Sequence, residues 1–559
     1  MYRPFEAKHT RMKRSVFIIL ALIGVHQSLC AQNFYWVAFT HKGNTSCSFS
    51  APEEFLSVRA IFRRAKQGIP IDSLDIPVNP AYIKQVVELG CSLVHSSRWL
   101  NGITVKTTRD DFPLLAQELP FVQEVELTKK ASPVKSARLK FSLPGAPLVS
   151  AEFDSTVYGA SFQQIAQLKV QYLHNQNFDG QGIHLAVLDA GFYQVDKFHA
   201  FESLWRNGQI PGTRDFVTSD TDIFEEHYHG MSVLSVLAGK IDGQFRGSAP
   251  GASYWLIRTE DDDSEYLIEE DNWIAGAEFA DSAGVDIINS SLGYTTFDDP
   301  AMNHTYLDMD GNTTRVTRAA NIAASRGMLI FVSAGNEGRE GNPWKYISAP
   351  SDGDDVICVA AVNSAGTRAP FSSHGPASDG DIKPNVSAMG VNTVILTNVG
   401  TTGTGNGTSY ASPLVAGAAA CLWQANPHAH AIQVKQAIEQ SANQFAHPDS
   451  ILGYGIPDMN RADQILKSSL NITRSNQSSW KVYPNPAHHF IILQRRGSAT
   501  WGNIHLQFYS SEGRMLHQEI HPDAPEIMTY NIRLFPPGIY LLKIISASDT
   551  ESVKITITR

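Results

Sequence analysis

The sequence predicts an α/β domain built on a mostly parallel sheet. A small α+β unit precedes it and a small all-β sandwich follows it. Three observations carry this. Continuous apolar runs, His184-Leu185-Ala186-Val187-Leu188 and Met328-Leu329-Ile330-Phe331-Val332, mark strands buried on both faces. Helical patterns over 273–282 and 317–325 alternate with such runs, as parallel crossovers require. From 478 to 559 the chain reads as strand and turn, with alternation over 504–509 and Pro536-Pro537-Gly538 ahead of a second strand.

At 559 residues the chain has room for two to four units, and its 43% hydrophobic and 18% charged composition excludes wholesale disorder. A net charge of −10 leaves no basic footprint, so nucleic acid is not an expected partner.

Residues 1–31 read as an export signal: Arg11, Lys13 and Arg14 precede an apolar run, Val16 to Val25, too short to span a bilayer, and cleavage is expected near Cys30-Ala31-Gln32. Residues 32–128 form the α+β unit. Its strands are expected at 34–39, 102–105 and 122–127, with helices at 80–89 and 112–119. Residues 129–150, with Lys129, Lys130, Lys135, Arg138 and Lys140 among Ser, Pro and Gly, read as a linker open to proteolysis. The α/β domain is assigned to 151–470 and the sandwich to 478–559. Five cysteines make no disulfide framework, so stability must come from a large core.

Structural calcium is the one ion weighed. Asp308-Met309-Asp310-Gly311-Asn312 offers hard oxygens but reads first as a polar turn, and its glycine is misplaced for an EF-hand. The acidic run Glu260-Asp261-Asp262-Asp263 reads as a solvated loop. No His/Cys cluster points to zinc, and no metal ligand is assigned.

Four segments carry chemistry. Asp189 ends an apolar strand just before Ala190-Gly191, where parallel sheets gather functional groups. His229 stands ahead of Gly230 and a small-residue apolar helix; His227, two positions earlier, competes with it. Asn336 follows a strand between Gly335 and Gly338. Ser409, in Gly405-Asn406-Gly407-Thr408-Ser409, sits where a helix begins and unpaired N–H groups favour negative charge. Pro413 is placed in that helix's first turn.

Together, and in the order Asp, His, Asn, Ser, these segments resemble the subtilisin-like serine proteases. The resemblance implies a three-layer subtilisin-like domain. It implies a catalytic triad of Asp189, His229 and Ser409, with Asn336 in the oxyanion hole. Ser291, Leu292 and Gly293, in a segment similar to the family strand that pairs with substrate, and Ser333, Ala334 and Gly335 would bind substrate and wall an apolar pocket. The chemistry would be peptide hydrolysis through an acyl-enzyme, requiring no cofactor. Ala190 departs from the family, where Ser or Thr is frequent. No Gly-x-Ser-x-Gly elbow surrounds Ser409, which argues against an α/β-hydrolase.

Ser97-Arg98-Trp99-Leu100-Asn101-Gly102 and Leu119 to Glu126 look like a subtilisin propeptide, which implies an autoprocessed zymogen inhibited by its own N-terminal unit and cut between about Lys129 and Ser161. Trp480 to Ala487, Gly538 to Ile544 and Val553 to Arg559 are similar to the type A sorting domain of type IX secretion. The implied partners are protein or peptide substrates and the type IX machinery, and the implied location is secreted or outer cell surface.

Overall fold

In the N-terminal unit, alternation sorts residues between two faces. The computed structural model describes residues 32–43, 47–131, 140–141, 157–218, 222–474, 480–495, 503–510, 513–522, 524–546 and 550–558. The signal, and most of the 129–161 processing region, lie outside the described residues. Strand β1 (Asn33–Phe39) sends Tyr35, Val37 and Phe39 into a core under two helices, and turns Phe34 the other way, against the α/β domain. The helices are α2 (Pro80–Val87) and α3 (Phe112–Gln117). With β2 (Ser92–Ser97), β3 (Gly102–Thr107) and β4 (Val122–Lys129) it forms an antiparallel sheet of order β2-β3-β1-β4. Strand β4 runs one residue past the expected boundary at 128. Helix α1 (Val58–Gln67), capped by Ser57 and ended by Gly68, was not expected from the sequence.

The main sheet of the α/β domain has seven strands: β5 (His184–Asp189), β6 (Gly212–Asp215), β7 (Ser253–Arg258), β8 (Ile287–Ser290), β9 (Leu329–Ser333), β10 (Ile357–Val362) and β11 (Val386–Met389). All pair in parallel, in the order β11-β10-β9-β8-β5-β7-β6. Leu185 and Val187 face a core with helices α4 (His229–Ala238) and α7 (Thr408–Ala425), while Ala186 and Leu188 face α5 (Ile268–Ala283) and α6 (Arg315–Ser325). That is why these strands read as unbroken apolar runs. The strand order reverses between β5 and β8, which opens a crevice at their carboxyl ends.

The last helix of this domain, α8 (Met459–Arg474), passes the expected end at 470. The C-terminal strands are β12 (Trp480–Tyr483), β13 (Phe490–Arg495), β14 (Ile504–Ser510), β15 (Met515–His521), β16 (Ile527–Asn531), β17 (Gly538–Ile545) and β18 (Thr550–Ile557). They make antiparallel sheets β12-β13-β16 and β15-β14-β17-β18 around one apolar core, as expected.

The N-terminal unit docks on α5 through buried charge. Arg63, Arg64 and Arg98 converge on Asp281, with Arg64 Nη2 donating to both carboxylate oxygens at 2.9 and 2.8 Å and Arg98 Nη2 to one at 2.8 Å. Burial raises the Asp281 pKa, but the three guanidinium groups outweigh it and leave the carboxyl below its ordinary range. Glu278 accepts from Ser97 Oγ at 2.5 Å and from the Arg98 and Trp99 amides at 3.0 and 3.1 Å, closing the β2–β3 turn.

His95 is buried in the same interface, its Nε2 2.8 Å from Asn272 Oδ1 and its ring against Phe216. Burial lowers its pKa, the Asn272 and Phe216 hydrogen bonds oppose this, and Arg214 adds to the lowering. Docking therefore favours the neutral ring. This contribution is full above the undocked histidine range and is lost as pH falls through it. Between about pH 7.5 and about pH 5, hydrogen-exchange protection of the β2–β3 hairpin should fall more in the native chain than in His95→Gln, by up to about tenfold per pH unit.

Candidate active site

Asp189 and His229 meet where β5 ends and α4 begins. Gly230 explains how. A β-carbon there would lie 2.4 Å from Gly191 O and 2.8 Å from Asp189 Cβ, so only glycine lets the helix approach the strand end. His229 Nδ1 lies 2.7 Å from Asp189 Oδ1, and both groups are buried. Asp189 Oδ1 also accepts the Ala190 N–H at 2.8 Å, while Oδ2 finds no partner among the described residues. Ala190 is the family departure noted above: its methyl carries no hydroxyl to offer that oxygen.

The competing His227 has a different task. Its Nδ1 accepts the backbone N–H of His229 at 3.1 Å and so caps α4. Burial and the neighbouring His229 both lower its pKa.

Helix α7 begins at Thr408, which puts Ser409 in its first turn and moves Pro413 out of it: the proline lies one turn inside the helix. Lacking an N–H, Pro413 cannot bond the carbonyl four residues back, which is that of Ser409. Ser291 Oγ donates to that carbonyl at 2.9 Å instead. Ser409 Oγ in turn donates to Ser291 O at 3.3 Å. Asn289 Nδ2 donates to Ser291 Oγ at 3.2 Å and Asn289 Oδ1 accepts Ser412 Oγ at 2.8 Å, so β8 and α7 are laced together around Ser409.

Asn336 follows β9, with its Oδ1 taking the Thr408 N–H at 3.0 Å and the Thr408 hydroxyl at 3.1 Å. That fixes which end of the amide is spent and leaves its NH₂ group to donate. Thr408 escaped sequence reasoning because a threonine beside a helix start is common; only the fold brings it to Asn336.

His229, Ser409 and Asn336 line one cleft of about 550 Å³ with Ser291, Leu292, Gly293, Ser333 and Gly335. Ala334 is the exception. It is buried in a small core with Ile347, Cys358 and Ala377, because side chains alternate and its methyl points away from the cleft.

Of two expectations about charge, one is revised in part and the other, a polar turn at Asp308–Asn312, agrees with the structure. Asp262 and Asp263 are exposed, as a solvated loop requires, but Glu260 is buried and Asp261 half-buried, and these two hold lysines from the linker region, described below. In the Asp308–Asn312 segment the carboxylates act as turn caps, Asp308 Oδ2 toward Thr305 and Asp310 toward Asn312 and Thr313, which leaves poor provision for an ion.

A seven-stranded parallel sheet, with an Asp–His pair, a helix-borne serine and an oriented asparagine amide in one cleft, defines a serine hydrolase of the α/β class. Comparison with known proteins agrees. Residues 180–455 match the Subtilase family (peptidase S8), 34–141 the peptidase S8 propeptide domain of Bacteroidota, and 481–558 a secretion-system C-terminal sorting domain. Subtilisin of Bacillus pumilus is 31% identical over 281 residues, 50% of this chain and 90% of its own length. Subtilisin E of Bacillus subtilis is 32% identical over 50% of this chain, and the match spans 65% of that relative's length. A thermostable alkaline protease of Halalkalibacterium halodurans is 29% identical over 62% of this chain and 84% of its own length.

The chain belongs to the subtilase family of serine endopeptidases. It is a subtilisin-type serine protease carrying a propeptide domain and a type IX sorting domain, and the latter directs it to the cell surface or beyond. Among the described residues no helix is long and apolar enough to cross a membrane.

Gly230→Ala should lower kcat on a peptide substrate by about 10²-fold or more with KM little changed, because the added carbon displaces the imidazole from Asp189. Steady-state kinetics of the mature enzyme checks this.

Proposed function

We propose that this protein hydrolyses peptide bonds in protein substrates through a Ser409 acyl-enzyme. The observation that carries the proposal is the 2.7 Å Asp189–His229 hydrogen bond inside the cleft that Ser409 and Asn336 share. Asp189 holds the imidazole with Nδ1–H toward the carboxylate, leaving Nε2 as the base. Ser409 Oγ gives its proton to that nitrogen as it attacks the substrate carbonyl. The weak 3.3 Å bond to Ser291 O is its resting contact, and catalytic hydrogen bonds commonly tighten only with substrate in place. His229 then protonates the leaving amine, and water repeats the cycle on the ester. The Asn336 amide and the Ser409 backbone N–H stabilise the oxyanion, a donor of this kind contributing about 3–4 kcal/mol. These steps use only groups of the chain itself.

Substrate would lie along Ser291-Leu292-Gly293, with Ser333 and Gly335 at the wall of the pocket for the residue before the scissile bond. The N-terminal unit acts as inhibitor in the uncut chain. Its end reaches the cleft: the Phe141 ring lies 4.3 Å from that of His229 and 4.7 Å from that of His227, centroid to centroid. Cleavage between 129 and 161 by the enzyme itself removes it, and the C-terminal sandwich engages the type IX machinery.

In the mature enzyme, Ser409→Ala and His229→Ala should each reduce kcat by on the order of 10⁶-fold, the size measured for the corresponding groups in subtilisin itself, and Asp189→Ala by on the order of 10⁴-fold. The Ser409→Ala chain made in a protease-free host should also stay uncut between 129 and 161, as read by intact mass. Normal processing of that variant rules out self-cleavage.

A further inference from the structure

Beside the Asp–His pair the cleft deepens into a pocket with three carboxylates. Glu260 and Glu269 are buried and Glu265 partly so, and one oxygen from each lies within 4.8 Å of the others. A carboxylate cluster alone is not a site, but this one is filled by a cation. The Lys140 ammonium sits 2.7 Å from Glu260, 3.0 Å from Glu265 and 2.5 Å from Glu269, and donates to the Asp261 and Ser264 carbonyls at 3.2 and 3.3 Å. The pocket is built to hold its shape. Tyr294 donates its hydroxyl to Glu260, and Glu269 accepts the amides of Asp261 and Tyr266 at 2.8 and 3.3 Å.

Lys140 is not part of the α/β domain. It precedes Phe141, whose ring lies on His229. The chain thus runs from the acidic pocket onto the imidazole of His229, with Lys140 on the N-terminal side of the residue that covers it. When the N-terminal segment departs, the Lys140 ammonium leaves this carboxylate pocket with it.

We propose that Glu260, Glu265 and Glu269 form a substrate subsite for a lysine or arginine side chain on the N-terminal side of the scissile bond, and that Lys140 occupies it in the uncut chain as a substrate residue would. This rests on the protease reading above and adds a substrate class to it. The site is selective by charge: an aliphatic side chain fills the same space without an ammonium or guanidinium to offer the carboxylates, and an acidic one sets negative charge against them.

The test uses the mature enzyme and quenched-fluorescence peptides copying residues 139–147, in which the Lys140 position is the one basic residue, with Lys, norleucine or Glu there. We expect cleavage on the C-terminal side of the Lys140 position, with kcat/KM for Lys at least about tenfold above norleucine and the Glu peptide slowest. Glu265→Gln and Glu260→Gln should shrink the Lys-to-norleucine ratio toward one. The ratio in the unaltered enzyme decides the matter should either variant fail to fold. Equal rates on the Lys and norleucine peptides, by an enzyme that digests denatured casein, overturn the proposal and spare the protease reading; no turnover of casein or any peptide strikes the protease reading instead. The ratio is measured in chelator and again in millimolar calcium. It should be unchanged, and its collapse in calcium would assign the pocket to a divalent ion and overturn the proposal.

Discussion

The contact on which the site depends is the one between the end of β5 and the first turn of α4, where no side chain intervenes. Gly230 removes the atom that would hold them apart, and the Asp189–His229 hydrogen bond fills the gap. Two further constraints follow from helix α7. A proline one turn inside a helix ordinarily weakens it, yet here the carbonyl it frees becomes the acceptor for Ser291 and ties the Ser409 backbone to the segment after β8. Asn336 is aimed by Thr408, the residue beside Ser409, so the Asn336 amide and the Ser409 alcohol are set by one helix start.

The same economy of buried polar groups organises the uncut chain. Three arginines on one aspartate and a glutamate capping a turn are poor sources of net stability, since desolvation offsets much of their attraction. They are strong sources of register. Moving the unit off this seat would strand the buried Asp281 carboxylate away from all three guanidinium groups, so the N-terminal unit has one seat on α5 and delivers its end to one place. Lys129 on Asp261, Lys130 on Asp299 and Lys140 among the three glutamates continue the same pattern toward the cleft.

Most of the architecture was legible in the sequence because the parallel strands are buried on both faces and therefore read as unbroken apolar runs. Asp189, His229, Asn336 and Ser409 were legible because glycines and small residues frame them at strand ends and helix starts. What escaped was made by contacts between distant segments. Helix α1 has its arginines turned into the α/β domain, so it shows no apolar face that a sequence reading would trust. Glu260 reads as one more acid in a run of four, and nothing local reveals that a lysine over a hundred residues earlier enters its pocket. Pro413 looked like a first-turn proline because helix α7 begins earlier than its apolar stretch does.

The most direct test of the account is to treat the mature, folded protein with a fluorophosphonate and map the adduct by mass spectrometry. The account predicts a single modified residue, Ser409, and loss of that adduct when His229 is replaced by alanine. A folded protein that takes no adduct, or takes it on a different serine, would contradict the assignment.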